Sequence, residues 1–146
     1  MTAFLLAWLA ALQCPMFNRP TPCNLMGPAW QSSQWRAAAV RAGFQLAQPV
    51  PDRASECAAV ADDAIVRITV VGNRVLGSSC VKNETVSCAV RLARSAGCDL
   101  VTLLLVRSGA SYGFLDAYPS ADLADETVCD VLLETIAATS NVGGMP

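Results

Sequence analysis

Cysteine is the residue type with the most potential chemistry in this sequence, and histidine, its usual partner, is absent. The chain of 146 residues contains seven cysteines and no histidine. A nucleophilic cysteine or serine usually needs a histidine base, so the composition argues against that kind of catalysis. Structural zinc is disfavoured too, because its ligands are closely spaced Cys and His and no Cys-x-x-Cys occurs. The cysteines are residues 14, 23, 57, 80, 88, 98 and 129.

An odd number of cysteines does not suit a disulfide framework, which is typical of small secreted domains that lack a core. Free cysteine commonly behaves as a small buried hydrophobe, and we predict this for Cys88, Cys98 and Cys129. These features favour a reducing, cytoplasmic setting. A redox or thiol function stays open for any cysteine that is exposed, since reactivity needs an accessible thiolate.

The composition indicates one folded domain. Hydrophobic residues make up 53% of the chain, charged residues 15%, and the net charge is −2. A chain of this length can bury its own core, and its balance of residues is the opposite of that of a disordered chain. The charge provides no basic surface for nucleic acid, which we therefore exclude as a partner.

The apolar run Phe4–Leu12 is the most conspicuous feature of the N-terminal part. It is shorter than the roughly 18 apolar residues that a membrane-spanning helix needs. It also lacks the preceding Lys or Arg and the following small-x-small site of a secretory signal. We therefore expect no transmembrane segment here, but a helix that packs on the body of the protein or on a partner.

Residues 1–53 are predicted to form helices and proline-rich connections. Prolines remove backbone donors and restrict the residues before them, so regular structure is not expected where they cluster. Ser32 or Ser33 can cap a helix that Gly43 ends. The predicted segments are a helix over Phe4–Leu12, an irregular stretch over Cys14–Pro28, a helix over Gln34–Ala42 and a linker over Gln45–Arg53.

Residues 54–146 are predicted to form an α+β domain. The order β-β-α-β-β-α, after a short first helix, predicts a four-stranded, mainly antiparallel sheet with both later helices on one face. Strand alternation places Val66, Ile68 and Val70 on one face, with Arg67, Thr69 and Val71 on the other. The predicted elements are helix Ala54–Ala61, strands Ala64–Val71 and Arg74–Val81, helix Glu84–Ala96, strands Leu100–Val106 and Gly113–Tyr118, and helix Leu123–Ala138.

Three segments within residues 64–138 resemble the C-terminal lobe of the ATP-grasp superfamily. Residues 66–75, VRITVVGNRV, are similar to the family's strand that carries an arginine, turns at Val-Gly and returns. Residues 89–100 are similar to its helix followed by Gly-Leu-Asp, and residues 113–120, GFLDAYPS, to its FLEVNPSP. Asn18-Arg19-Pro20 is also similar to a tripeptide near the start of some relatives.

The resemblance implies ATP-dependent ligation of a carboxylate to a nucleophile through an acyl phosphate, with Mg²⁺ on the phosphates. It implies nucleotide contacts for Arg67 and Arg74, and a magnesium ligand at Asp116. Residues two apart on a strand share a face, and Mg²⁺ prefers oxygen ligands. Here a tyrosine, Tyr118, follows Asp116 where the family has asparagine, and Leu104 stands where a further acid is expected.

Other interpretations of these residues stay open. A strand arginine such as Arg67 is often simply solvated or ion-paired. Asp99 is a further candidate for residual chemistry. The alternating Tyr112, Phe114 and Tyr118 could form a stacking platform for bases, but without flanking basic residues packing explains them better.

The family's second lobe cannot fit between Gly43 and Asp63, and the single lysine, Lys82, follows the strand pair. We therefore expect a non-catalytic ATP-grasp-like protein without a cofactor, acting as a subunit or interaction module with another protein chain or a second copy. Exposed apolar surface marks such interfaces. An ATP- and Mg²⁺-dependent ligase-like enzyme is the alternative. The predicted interface residues are Phe4, Leu5, Trp8, Leu9, Trp30 and Trp35.

Overall fold

The computed structural model describes residues 2–12, 16–21, 24–47, 65–77, 81–109 and 111–142. The predicted helix Ala54–Ala61 and the boundary at residue 53 lie outside these residues, so that division of the chain stays a prediction. The described elements, in chain order, are α1 (Thr2–Ala11), α2 (Ser32–Arg41), β1 (Gln45–Leu46), β2 (Ile65–Val71), β3 (Arg74–Gly77), α3 (Asn83–Ala96), β4 (Leu100–Ser108), β5 (Ser111–Tyr118) and α4 (Glu126–Val142).

The chain is an α+β protein whose described strands form one five-stranded sheet in the order β1-β5-β4-β2-β3. The pairs β2–β3, β2–β4 and β4–β5 are antiparallel, as predicted. The prediction of four strands is wrong, because β1, expected to be a linker, pairs in parallel with β5. Gly113 permits this approach, since a Cβ there would lie 2.9 Å from Cα of Ala47.

The first face of the sheet, the one that carries Ile68 and Val70, packs against α2 and α3. Several buried residues of the two helices, including Ala38, Ala39 and Ala89, are small and let the helices approach the strands closely. Larger side chains from the sheet and from both helices fill the remaining space. The predicted alternation along β2 is confirmed here. The large and fully buried side chains of this core are Trp35, Ile68, Val70, Leu92, Val101, Leu103, Leu105 and Phe114.

Helix α4 packs on the second face of the sheet, so the prediction of both later helices on one face is wrong. Val71 points to this face and forms a smaller buried cluster with Val128, Val131 and Leu132 of α4. The apolar character of Val71 and of its cross-strand neighbour Leu100 provides the surface that α4 covers. The sheet therefore has helices on both sides, and α4 covers the end of the second face near Val71.

Asn18 fastens the N-terminal segment to the sheet. Its side-chain amide donates to the carbonyl of Leu100 at 2.5 Å and to that of Pro119 at 3.2 Å, and its Oδ1 accepts from the Leu100 N–H at 2.9 Å. The residue is buried and has a left-handed φ of 50°, which asparagine tolerates better than most residues. The tripeptide singled out in the sequence therefore contributes a structural clamp.

Helix α2 begins at Ser32, so its N-cap lies one residue before the serines predicted to cap it. Gln31 is its N-cap, and the Gln31 N–H donates to Oε1 of Gln34 at 2.8 Å. Ser32 does not cap the helix, and its hydroxyl donates to the carboxylate of Asp116 in β5. The predicted end of α3 is confirmed, because Gly97 takes the left-handed conformation with φ 64°.

Candidate functional site

The structure brings Arg67 and Asp116 to the same face of the sheet. Arg67 of β2 pairs with Leu104 of β4, and Leu104 pairs with Asp116 of β5. The three residues therefore form one row across the second face, with the two charged residues separated by two strand spacings, or about 10 Å. The apolar Leu104 stands between them.

A β-bulge determines which face Asp116 occupies. The pairing register shifts between Leu104 and Leu105, which pair with Asp116 and Phe114 and leave Leu115 as the extra residue. Phe114 and Ala117 both lie in the first-face core. Without the bulge, Phe114 and Asp116 would share a face, so the extra residue turns Asp116 and Tyr118 to the second face. Phe114 and Tyr118, predicted to alternate along one strand face, therefore lie on opposite faces of the sheet.

Asp116 is half-buried and already has polar partners. Its Oδ2 accepts from the Ser32 hydroxyl at 2.9 Å, and its Oδ1 accepts from the Ala117 N–H at 2.9 Å. The carboxylate therefore ties the start of α2 to β5 around the edge of the sheet. These two contacts give Asp116 a structural role.

A second row of side chains lies next to the first and consists of hydroxyl groups. Thr69, Thr102 and Tyr118 are paired across β2, β4 and β5. Thr102 donates to the Ser120 carbonyl at 2.6 Å, which uses its only hydroxyl proton, so Thr69 is the donor in the 3.3 Å contact between the two threonines. This chain of hydrogen bonds joins the sheet to the segment that leads into α4.

The hydroxyl row forms the floor of a cleft of about 210 Å³ between the sheet and the start of α4. Arg67 lies on one part of its wall, and Asp122 and Asp125 on another. We refer to this space as the Arg67 cleft. Asp122 and Asp125 were not identified as site residues from the sequence, although a pair of aspartates before a helix is a recognisable signal for a turn and a cap. The other lining residues are Thr69, Leu76, Gly77, Thr102, Tyr118 and Val128.

Both aspartates are fixed by local backbone contacts. Oδ1 of Asp122 accepts from the Ala124 N–H at 3.0 Å. Oδ1 of Asp125 accepts from the Thr127 N–H at 2.9 Å, which makes Asp125 the N-cap residue of α4. Each carboxylate keeps a second oxygen that these contacts do not use.

The other charged residues predicted for the site lie elsewhere. Arg74 forms an ion pair with Glu134 of α4, with 2.6 Å between Nη1 and Oε2, and both side chains are exposed. Asp99 lines a separate cleft of about 290 Å³ together with Arg19, Phe17 and Ile136. Of the predicted charged residues, only Arg67 and Asp116 share a surface.

Few of the described side chains near Asp116 offer donor atoms for a metal ion. Among the residues that the structure describes, no group of three or more His, Cys, Asp or Glu side chains could hold a metal ion. Leu104, the neighbour of Asp116 in the same row, has no atom that could bind a metal ion. Tyr118 lies in the neighbouring row. The donor set that the family resemblance implies is therefore not assembled in the described part of the chain.

The predicted interface residues divide into exposed and buried ones. In α1, Phe4 is 79% exposed and Trp8 53%, while Leu9 is half-buried. Trp35 is only 1% exposed and belongs to the first-face core, so its prediction as an interface residue is wrong. Trp30 packs on it edge-on, with 4.9 Å between ring centroids. Leu5 is 43% exposed.

No helix in the described segments is long and apolar enough to span a bilayer.

The described cysteines are thiols in different environments. Cys88 and Cys98 are buried, as predicted, whereas Cys129 is only half-buried and donates its thiol to the Leu123 carbonyl at 3.1 Å. Burial, and to a smaller extent the neighbouring Asp99, raises the pKa of the Cys98 thiol to about 11. Cys98 therefore remains protonated at neutral pH. The remaining cysteines lie outside the described residues.

No protein-family model and no curated protein matches the chain. The solved structures similar to it include macrocyclase MdnB of Microcystis aeruginosa MRC, with a TM-score of 0.47 and 13% identity over 63% of this chain and 46% of MdnB. Macrocyclase MdnC of the same organism, bound with precursor peptide MdnA, has a TM-score of 0.35 and 17% identity over 40% of this chain and 22% of MdnC.

A third similar structure is the ATP-grasp ligase PsnB complexed with a minimal precursor. Its TM-score is 0.47, with 17% identity over 95% of this chain and 59% of PsnB. The chain thus spans less than two thirds of the length of each of these proteins. The chain is structurally similar to ATP-grasp ligases and macrocyclases, at low sequence identity and over part of their length.

Proposed function

We propose that this ATP-grasp-like chain is a non-catalytic interaction module that binds another protein chain or a second copy of itself through helix α1. The observation that carries the proposal is the exposure of large apolar side chains on α1. Phe4, Leu5 and Trp8 are 79%, 43% and 53% exposed. They follow one another along a helix that leaves them uncovered by the other described residues.

The composition of α1 supports the same conclusion. Its sequence, TAFLLAWLAA, has no ionisable side chain and is apolar on every side. Helices of this kind are normally buried, because they have no polar face to present to water. Aromatic side chains also dominate the energetics of protein interfaces. An association that covers Phe4 and Trp8 would remove two large exposed aromatic side chains from water.

The molar mass of the purified chain in solution tests this proposal. We expect light scattering after size exclusion to report an assembly larger than one chain. Replacing Phe4→Ser and Trp8→Ser together should convert it to a monomer. Val40→Ser is a matched control, because Val40 is 53% exposed on α2 and plays no part in the proposal. A wild-type chain that is stable, soluble and monomeric would contradict it.

Ligase-like activity with ATP and Mg²⁺ is the second candidate, and the shared sheet face of Arg67 and Asp116 favours it. The guanidinium of Arg67 is suited to a phosphate or carboxylate, and a carboxylate oxygen such as those of Asp116 is a ligand that Mg²⁺ accepts. Calorimetry with Mg-ATP tests this candidate. Binding that Arg67→Gln weakens and Arg107→Gln leaves unchanged would support it. No heat and no thermal shift at millimolar nucleotide would exclude it.

A further inference from the structure

We propose that the Arg67 cleft binds a small zwitterion of the free α-amino acid class, with its carboxylate on Arg67 and its ammonium group on Asp122 and Asp125. This inference goes beyond the interaction proposed for α1 and does not depend on it. The cleft is built from the sheet, the segment after β5 and the start of α4. None of its lining residues belongs to α1.

The first observation is that the opposite charges of the cleft are not paired with each other. The only ion pair among the described residues is Arg74 with Glu134. Arg67 therefore lies on the wall of the same cleft as two carboxylates. None of its guanidinium nitrogens lies within 4.0 Å of a carboxylate oxygen, the limit for an ion pair. A ligand that carries both charges can fill this separation, and a guanidinium can bind a carboxylate through two parallel hydrogen bonds.

The second observation concerns the acidic side of the cleft. The contacts with the N–H groups of Ala124 and Thr127 hold Asp122 and Asp125 in place. Each uses one carboxylate oxygen, and an ionised carboxylate can accept more hydrogen bonds than these. An ammonium group has three donors and no acceptor, so it matches a pair of carboxylates that already face a shared space.

The third observation is the size and lining of the cleft. Its volume of about 210 Å³ is below the roughly 300–1,000 Å³ of pockets for drug-sized ligands, so a small ligand is expected. Leu76 and Val128 supply apolar wall, while Thr69 and Thr102 supply hydroxyl groups on the floor. A branched apolar side chain on the carbon that carries the two charged groups suits the apolar wall, which makes L-leucine a suitable probe.

An NMR titration of the ¹⁵N-labelled full chain with L-leucine, without nucleotide, tests the proposal. We expect saturable shifts of the Thr69, Thr102 and Asp122 amides. Two analogues separate the charges: 4-methylpentanoate lacks the ammonium group and 3-methylbutylamine lacks the carboxylate. Each should bind at least about tenfold more weakly than leucine, because each loses one charge-assisted contact.

Variants identify the residues. Arg67→Gln should weaken leucine binding at least about tenfold, and so should the double change Asp122→Asn with Asp125→Asn, which keeps a capping residue before α4. Arg107→Gln and Asp130→Asn, at exposed positions outside the cleft, are the matched controls and should leave it unchanged. The proposal is overturned if leucine produces no saturable shift, if either analogue binds as well as leucine, or if the controls weaken binding as much as the cleft variants. The proposal for α1 is tested separately, by the molar mass of the wild-type chain, so either proposal can fail without the other.

Discussion

Single residues on this chain have roles that their position in the sequence does not suggest, and Asn18 is the clearest case. Replacing Asn18→Ala should lower the free energy of unfolding by about 2–4 kcal/mol, since the part-buried Leu100 N–H and the carbonyls of Leu100 and Pro119 lose the hydrogen bonds that Asn18 makes. Urea unfolding measures the loss. Asn73→Ala, at an exposed turn position, is the control and should change it by less than about 1 kcal/mol. Equal effects of the two variants would show that the clamp contributes little.

The raised pKa of Cys98 predicts low reactivity. Because burial raises its pKa from an ordinary 9.0 to about 11, the thiolate fraction of Cys98 at pH 8 falls from about 1 in 10 to about 1 in 1,000. We therefore expect alkylation of Cys98 in the folded chain at pH 8 to be at least about 100-fold slower than in the urea-unfolded chain, with burial slowing it further. Peptide mass spectrometry after timed iodoacetamide treatment reports the rate. Similar rates in the two states would contradict the burial of this thiol.

The same pKa shift has a consequence for stability. A thiol whose pKa is raised by folding remains protonated in the native state while the unfolded chain loses the proton. Between about pH 9 and 11 the unfolded state therefore binds fewer protons, and the Cys98 contribution reduces stability as the pH rises. The difference in the free energy of unfolding between wild type and Cys98→Ala, measured by urea unfolding, should therefore change between about pH 9 and 11. Below about pH 9 this difference should not depend on pH.

At the scale of elements, strand β1 depends on the absence of a side chain at Gly113. A methyl group there would meet Cα and N of Ala47 at 2.9 and 3.0 Å, and both are backbone atoms. Gly113→Ala should therefore separate β1 from β5 and cost about 1–3 kcal/mol. Hydrogen exchange of the Ala47 amide, which donates to the Phe114 carbonyl, should accelerate, while that of Val101 in the centre of the sheet should not. Unchanged protection of Ala47 would contradict this account of β1.

The elements also show which parts of the fold are predictable from sequence. The β-branched run of β2, the apolar run of β4 and the helical spacing of α3 carry strong periodic signals, and all three form as predicted. Strand β1 has two residues and therefore no period to detect. The bulge at Leu115 is equally silent in the sequence, yet it decides that Asp116 and Tyr118 face the cleft side. The position of Arg67 in the same cleft as Asp122 and Asp125 depends on α4 packing on the second face of the sheet, which the local sequence pattern cannot specify.

At the scale of the whole molecule, the described apolar residues include some that build the core and some that stay exposed. Two tryptophans represent these two groups. Trp35 is 1% exposed in the first-face core, whereas Trp8 is 53% exposed on α1. Trp35→Ala should lower the free energy of unfolding by about 3–5 kcal/mol, because it leaves a large cavity. Trp8→Ala should change the stability of the isolated chain by less than about 0.5 kcal/mol, since no core loses a contact.

Chemical unfolding at low protein concentration, where association is weakest, provides the comparison. If Trp8→Ala destabilises the dilute chain as much as Trp35→Ala does, α1 packs on the body of its own chain and the interaction proposed for it fails. If only Trp35→Ala is destabilising, Trp8 does not contribute to the stability of the single chain. Raising the protein concentration then adds a second test. An association through α1 should stabilise the wild-type chain by mass action, and it should stabilise the Trp8→Ala variant less.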